Sequence, residues 1–201
     1  MNKLKLWIHS MIGHIVCKLC LLYWDARDII SPPKEKTVLF VTHPDDDTLF
    51  FHSFIKRYKP YVVVMTAGHS VNRLKCFSKN MKRYGVKYRA YAQGTDDTRE
   101  ALVRKRVRHV LGLGEFELVA THNSQGEYGH NMHVCVHNAV VAEAKCPVLV
   151  PDRRENITQY PLTVDEIEEK RRIFYEIYRS ELFVLKVYTL WMENEHLVAY
   201  D

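Results

Sequence analysis

TVLFVTHPDDDTLFFHSFIKRY, residues 37–58, decides the fold of this chain. TVLFVT (37–42) is a continuous apolar run, as expected of a strand buried on both faces, and TLFFHSFIKRY (48–58) then reads as a helix. Between them Asp45, Asp46 and Asp47 stand side by side, with His43 before them and His52 after. Three adjacent carboxylates repel one another, so their crowding at the end of a buried strand requires a compensating cause.

The same strand-then-helix pattern repeats downstream. YVVVMTAG (61–68) is a second buried strand, and VNRLKCFSKNMKRYG (71–85) is a helix closed by Gly85. VKYRAYAQG (86–94) is a third strand, followed by the helix DDTREALVRKRVRHVLG (96–112), which an Asp can cap. FELVATHN (116–123) and CPVLVP (146–151) are strands flanking the helix NMHVCVHNAVVAEA (131–144), and VDEIEEKRRIFYEIYRS (164–180) is the last long helix. Such alternation predicts an α/β layered fold with a mostly parallel sheet. In that architecture ligands bind beyond the carboxyl ends of the strands. THPDDD, TAGHS and THNSQGEYGHNMH all fall there.

With 201 residues, 47% hydrophobic and 26% charged, the chain fits one folded domain of globular composition. A net charge of +5 is dispersed over several short basic runs, so no nucleic-acid partner is expected. The densest run, Arg104 to His109, alternates with Val103, Val107 and Val110 and suits the solvated face of an amphipathic helix. Five cysteines, an odd number, argue for a reducing, cytoplasmic compartment. Cys17 and Cys20 read as two buried thiols on one helix.

Residues 1–30 form an N-terminal extension, distinct from a domain over 36–201. Within it LWIHSMIGHIVCKLCLLYW (6–24) is an amphipathic helix, its polar side marked by His9, Ser10, Gly13, His14 and Lys18. Two readings follow: a helix packed on the domain, or one resting on the inner leaflet of a membrane with Trp7 and Trp24 at headgroup level. ARDIISPPKEK after it is read as a loop, marked by Pro32-Pro33.

His43 and Asp46 lie three apart at a strand end, and His130 and His133 lie three apart where a glycine-bearing turn enters a helix. Two imidazoles and one carboxylate suit a divalent ion, zinc first, with an open position for water. Hydrolysis then needs a base, for which Asp45 is placed, and donors to the developing oxyanion, for which His130 and Tyr128 are placed. A divalent cation also offsets the repulsion among the acids. Asp47 reads as a helix cap or a support to its neighbours. A metal-dependent glycosyltransferase with an Asp45-x-Asp47 motif is a rival reading, and a catalytically silent sugar-binding protein is another.

THPDDD followed by GEYGHNMHVCVHNAV resembles the PIG-L or LmbE-like N-acetylglucosaminyl deacetylases, with their HPDDE-type and G-HxxH motifs. The order of TAG, Arg73, Gly94 to Asp97, THN and Tyr178-Arg-Ser-Glu181 is also similar, over about residues 36 to 185. Two positions depart: Asp47 stands where Glu is usual, and Asn131-Met132 where Pro-Asp is common. The resemblance implies a Rossmann-like fold and a zinc ion, or Fe²⁺ or Co²⁺, on His43, Asp46 and His133. It implies Asp45 as general base, His130 as acid or stabiliser and Tyr128 polarising the acetyl carbonyl. Arg73 and Asp97, or Asp96 in its place, would hold an N-acetylated amino-sugar conjugate.

Overall fold

The computed structural model describes residues 3–91 and 94–200, with the side chains of 3–10, 17, 20, 21 and 29 outside the description. The reading of Cys17 and Cys20 as buried thiols, and the placement of Trp7, lie outside the described residues.

A six-stranded sheet in the order β3-β2-β1-β4-β5-β6 forms the middle layer of a Rossmann-like three-layer α/β fold. Its strands are β1 (Thr37–Val41), β2 (Tyr61–Val64), β3 (Tyr88–Ala90), β4 (Leu118–Ala120), β5 (Val148–Pro151) and β6 (Leu197–Ala199). The first five run parallel, and β6 is antiparallel to β5 at the edge. The helices are α1 (Lys3–Ile30), α2 (Asp46–Leu49), α3 (His52–Tyr58), α4 (Val71–Tyr84), α5 (Glu100–Leu111), α6 (Gly126–Gly129), α7 (Asn131–Glu143), α8 (Arg154–Ile157), α9 (Val164–Glu176), α10 (Val184–Val187) and α11 (Thr189–Glu193).

β1 is buried along its whole length because its alternate residues feed two cores. Leu39 and Val41 join Phe54, Ile55, Phe77, Met81, Ile173 and Phe174 under α3, α4 and α9. Val38 and Phe40 join Val103, Val107, Val136 and Val140 under α5 and α7. Each such side chain contributes about 1.5–3 kcal/mol by leaving water. That double burial fixes the register of β1, and with it the position of the acidic turn at its end.

The expected helix over 48–58 is broken in two at Phe50-Phe51, and both rings turn into the cores or against His122. The break is held from behind. The buried Lys170 ammonium donates to Leu49 O (2.9 Å) and Trp191 O (2.7 Å), and Glu195 accepts from the amides of Ser53 and Phe54 at the start of α3.

Three other expectations need correction. The segment 26–30 is helix, not loop: Arg27 and Asp28 are tied to Tyr61, Tyr88 and Arg89, so α1 runs to Ile30 before Pro32-Pro33. The helix expected from 96 starts at Glu100 with no side-chain cap from Arg99, and Asp96 meets His43 instead of capping it. The last long helix ends at Glu176, beyond which Tyr178 turns inward. The edge strand β6 carried no sequence signal, being three residues long and half exposed.

α1 docks on the domain by its polar side. Gly13 lies against the His69 carbonyl, His14 stacks on His69 (4.2 Å), and Trp24 packs edge-on against Tyr88. Met11, Ile12, Ile15, Leu19, Leu22 and Ile30 stay exposed on the other side. Trp24 is buried, so it is not a headgroup anchor. In the basic run of α5, Val103, Val107 and Val110 are buried as expected, and so is Arg106, whose guanidinium donates to Met65 O.

Candidate metal centre

The turn after β1 makes the site. His43 and Asp46 face each other across it, because the Asp46 carboxylate accepts the His43 amide at 2.7 Å. Asp45 between them has φ 122°, a strained value for a residue with a Cβ, and it caps α2 by backbone alone. Its own amide donates to Asp47 Oδ1 at 3.1 Å. Asp47 also receives the Tyr178 hydroxyl (2.8 Å), Asn80 Nδ2 (2.6 Å) and the Thr48 hydroxyl (3.1 Å). Asp47 is therefore no helix cap. It is a buried clamp on the strained turn, and burial pushes its carboxyl up to about 6 despite these donors.

The loop after β4 brings the second half. α6 is a tight turn with Gly126 at φ 65° and Gly129 at φ 93°, and it delivers His130 as the N-cap of α7 and His133 into its first turn. His43 Nδ1, Asp46 Oδ2 and His133 Nε2 then form a triangle with all three separations 3.4 Å. Ligand atoms about 2.0–2.1 Å from a tetrahedral ion lie about 3.3–3.4 Å from one another, so the triangle has the size of one face of such a site. All three residues are buried.

The ring protons are compatible with that use. His43 Nε2 meets Asp96 Oδ1 at 2.7 Å and Nδ1 meets Asp46 Oδ2 at 3.4 Å; burial lowers the ring's basicity but the two carboxylates raise it to about 10 on balance, so an ion ligated through Nδ1 takes the place of a proton there. His133 Nδ1 meets Glu127 Oε2 at 2.7 Å, which leaves Nε2 free. His130 Nδ1 accepts the Met132 amide at 3.2 Å, so its proton is on Nε2, on the side of Asp96. His122 receives the Thr42 amide on Nε2 at 2.9 Å and faces Glu127 with Nδ1 at 3.0 Å. Burial lowers and Glu127 and Asp46 raise the basicity of His122, to about 9 on balance, yet the Thr42 donor leaves room for one ring proton only. In this arrangement His122 is neutral and is not a ligand.

Electrostatics set the acids apart. Burial, and then the charge of Asp46, pushes the Asp45 carboxyl well above the ordinary range. Asp46 is held well below it by His133, His122 and His43, which outweigh its own burial. Burial presses His133 down to about 4, the neutral form a metal ligand needs. His130 is likewise lowered by burial and by His43.

A pocket of about 230 Å³ opens over the triangle, lined by Asp45, Arg73, Asp96, Tyr128, His130 and Glu181 together with Phe183 and Tyr188. Arg73 stands in the first turn of α4, whose Ser70 cap accepts its amide, and reaches Glu181 at 3.3 Å and Asp45 at 3.7 Å. Tyr128 stacks on Tyr188 with ring centroids 4.2 Å apart. The structure thus brings His43, Asp45, Asp46, Arg73, Asp96, Tyr128, His130 and His133 together, with Asp47 behind them. Asp97 is exposed and does not line the pocket. Glu127 went unnoticed in the sequence. Its one signal was an acid inside a glycine-flanked turn six residues before His133.

No protein-family model and no curated protein matches the chain by sequence. Among solved structures, the chain is similar to the antimicrobial reagent A40926 pseudoaglycone deacetylase Dbv21, with TM-score 0.57, 14% identity and 77% of this chain and 86% of that one covered. It is also similar to GalB, the 4-carboxy-2-hydroxymuconate hydratase of Pseudomonas putida, with TM-score 0.53, 15% identity and coverage of 78% and 81%. At such identity the likeness establishes the shared fold, one that carries two different enzyme chemistries.

Proposed function

We propose that the chain is a metal-dependent hydrolase that removes the acetyl group from an N-acetylated amino-sugar conjugate of the N-acetylglucosamine type. The observation that carries this reading is the 3.4 Å triangle of His43 Nδ1, Asp46 Oδ2 and His133 Nε2 beneath a pocket lined by a carboxylate, an imidazole and a phenol. Zinc suits two imidazoles and a carboxylate best, with Fe²⁺ or Co²⁺ as alternatives. When bound, the ion supplies Lewis acidity, which makes water acidic and polarises an amide carbonyl.

The chain's own residues do the rest. Asp45 takes the proton of the attacking water, and its raised proton affinity suits a base that must hold what it takes. The proton that Asp45 has taken passes to the amine as the C–N bond breaks, giving acetate and a free amino sugar, while the neutral His130 ring, with its proton on Nε2, donates a hydrogen bond to the developing charge. The Tyr128 hydroxyl donates to the carbonyl oxygen as it becomes negative. Arg73 and Asp96 hold sugar hydroxyls at the rim, Asp96 taking the part that its neighbour Asp97 is too far out to fill.

The glycosyltransferase alternative needs Asp45 and Asp47 to share one ion. Asp47 is turned away from the pocket and occupied by four donors, which disfavours that reading. Acetate release over a panel of N-acetylglucosaminyl conjugates, with and without added zinc, tests the proposal. Metal-dependent release from at least one conjugate, lost in His133→Ala, is expected. Sugar binding without release under every metal would leave a silent sugar-binding protein instead.

No helix among the described residues is long and apolar enough to cross a membrane. The exposed row Ile12, Ile15, Leu19, Leu22 on α1 is nevertheless suited to lie in a membrane interface, which would place a cytoplasmic enzyme at the inner face. Co-flotation with vesicles, abolished by Ile15→Glu with Leu19→Glu, is expected; equal flotation of that variant would remove the membrane from the proposal.

A further inference from the structure

Like Asp47, Glu127 is a buried carboxylate at the site that neither binds in the triangle nor faces the pocket, but it meets the rings of His122 and His133. It sits at φ 57° between Gly126 and Tyr128, a backbone conformation that residues other than Gly, Asn or Asp seldom adopt. Its carboxylate is fully used. Oε2 lies 2.7 Å from His133 Nδ1 and 3.0 Å from His122 Nδ1, and Oε1 accepts the Asn123 amide at 2.8 Å. The Asn123 side chain in turn accepts the Glu127 amide at 3.0 Å, which holds the strained turn in place. His122 and His133 stack with centroids 3.9 Å apart, and the Thr42 amide donates to the far side of His122. Both rings are thus caught between one acceptor and a fixed environment.

We infer that Glu127 is a positioning residue for the metal: by accepting both Nδ1 protons it keeps the Nε2 lone pair of His133 aimed at the Asp46 and His43 ligand atoms, with His122 as its brace. The reason is the tautomer. A ring protonated on Nε2 cannot ligate through that atom, and only an acceptor at Nδ1 excludes this form in a buried site. A strained backbone is tolerated there because no regular turn would carry a carboxylate under two stacked imidazoles. This rests on the metal-binding part of the function proposed above, not on the identity of the substrate.

Cobalt(II) binding to the full chain tests it, read by chelator competition and by the visible spectrum of the bound ion. Glu127→Ala is expected to weaken cobalt binding about 10- to 100-fold and to shift the spectrum, and Glu127→Gln to do so less, since an amide keeps one acceptor oxygen. Both variants binding within twofold of the parent with an unchanged spectrum would overturn the inference. Should Glu127→Ala not fold, long-range proton–nitrogen correlation spectra of the histidine-labelled parent decide: protons on Nδ1 of His122 and His133 are expected, and a proton on Nε2 of His133 would overturn it. Failure of the metal-site reading itself gives a different result, in which His133→Ala also binds cobalt like the parent.

Discussion

Two buried ionic clusters stand at different places on the same sheet, and they differ in how they are balanced. Where α1 meets the sheet, Arg89 pairs with Asp28 (2.6 Å) and with Asp25, Arg27 also pairs with Asp28, and the Tyr61 hydroxyl joins Arg27 to Asp28. Two guanidinium groups meet two carboxylates, so the charges are matched within the chain. At the end of β1, by contrast, Asp45, Asp46, Asp47 and Glu127 are buried against the single guanidinium of Arg73, and three ligand atoms converge at 3.4 Å. A closed cluster fastens one element to another. An open one has the donors to take up an ion, and this difference, more than burial or charge alone, sets the two clusters apart.

The largest effects should come from breaking the open cluster. Asp45→Asn is expected to lower the turnover of acetate release by about 10²–10⁴-fold, the usual contribution of a general base, with metal content unchanged. The same substitution should raise the stability of the metal-free protein by about 1 kcal/mol, because it removes a charge that burial and Asp46 both oppose. Denaturant unfolding with and without zinc checks this; loss of stability in the metal-free protein would mean that the acid is structurally required.

Breaking the closed cluster should do the reverse. Arg89→Ala removes one of the two guanidinium partners of the buried Asp28, and is expected to cost about 1–3 kcal/mol of unfolding free energy while cobalt affinity in the folded fraction stays the same. A loss of affinity without loss of stability would contradict the assignment of this cluster as a fastening.

Lys170 sharpens the comparison, since its ammonium is buried against carbonyl oxygens with no direct carboxylate partner. Burial brings it down from 10.5 to about 8. Between about pH 8 and 10 the unfolded chain holds a proton the native state has shed, so this group makes stability rise with pH, by up to about 1.4 kcal/mol per unit. The stability of the parent minus that of Lys170→Met should therefore be flat below about pH 7 and grow from pH 8 to 10. A difference that stays flat to pH 10 would show that Lys170 keeps its ordinary basicity.

Much of this was legible in the sequence for a physical reason. A strand buried on both faces has to be apolar throughout, so TVLFV announces itself, and polar residues directly after it must lie at the sheet's carboxyl edge. His43, Asp46, His130 and His133 were readable on that ground. Glu127 was not, because its role depends on two histidines reached from α7 and β4, and no local pattern reports which ring nitrogen a carboxylate will face. The docking of α1 was misleading for a similar reason. Periodicity shows that a helix has two faces, but His69 and the Arg89 cluster, distant in sequence, decide which one packs.

The most direct test of the open cluster is a zinc titration of the full chain followed by calorimetry, with His133→Ala as its pair. One equivalent of tightly bound zinc is expected in the parent, weakened more than 100-fold in the variant. No stoichiometric binding in the parent, or equal binding in both, would contradict the assignment of His43, Asp46 and His133 as a metal centre.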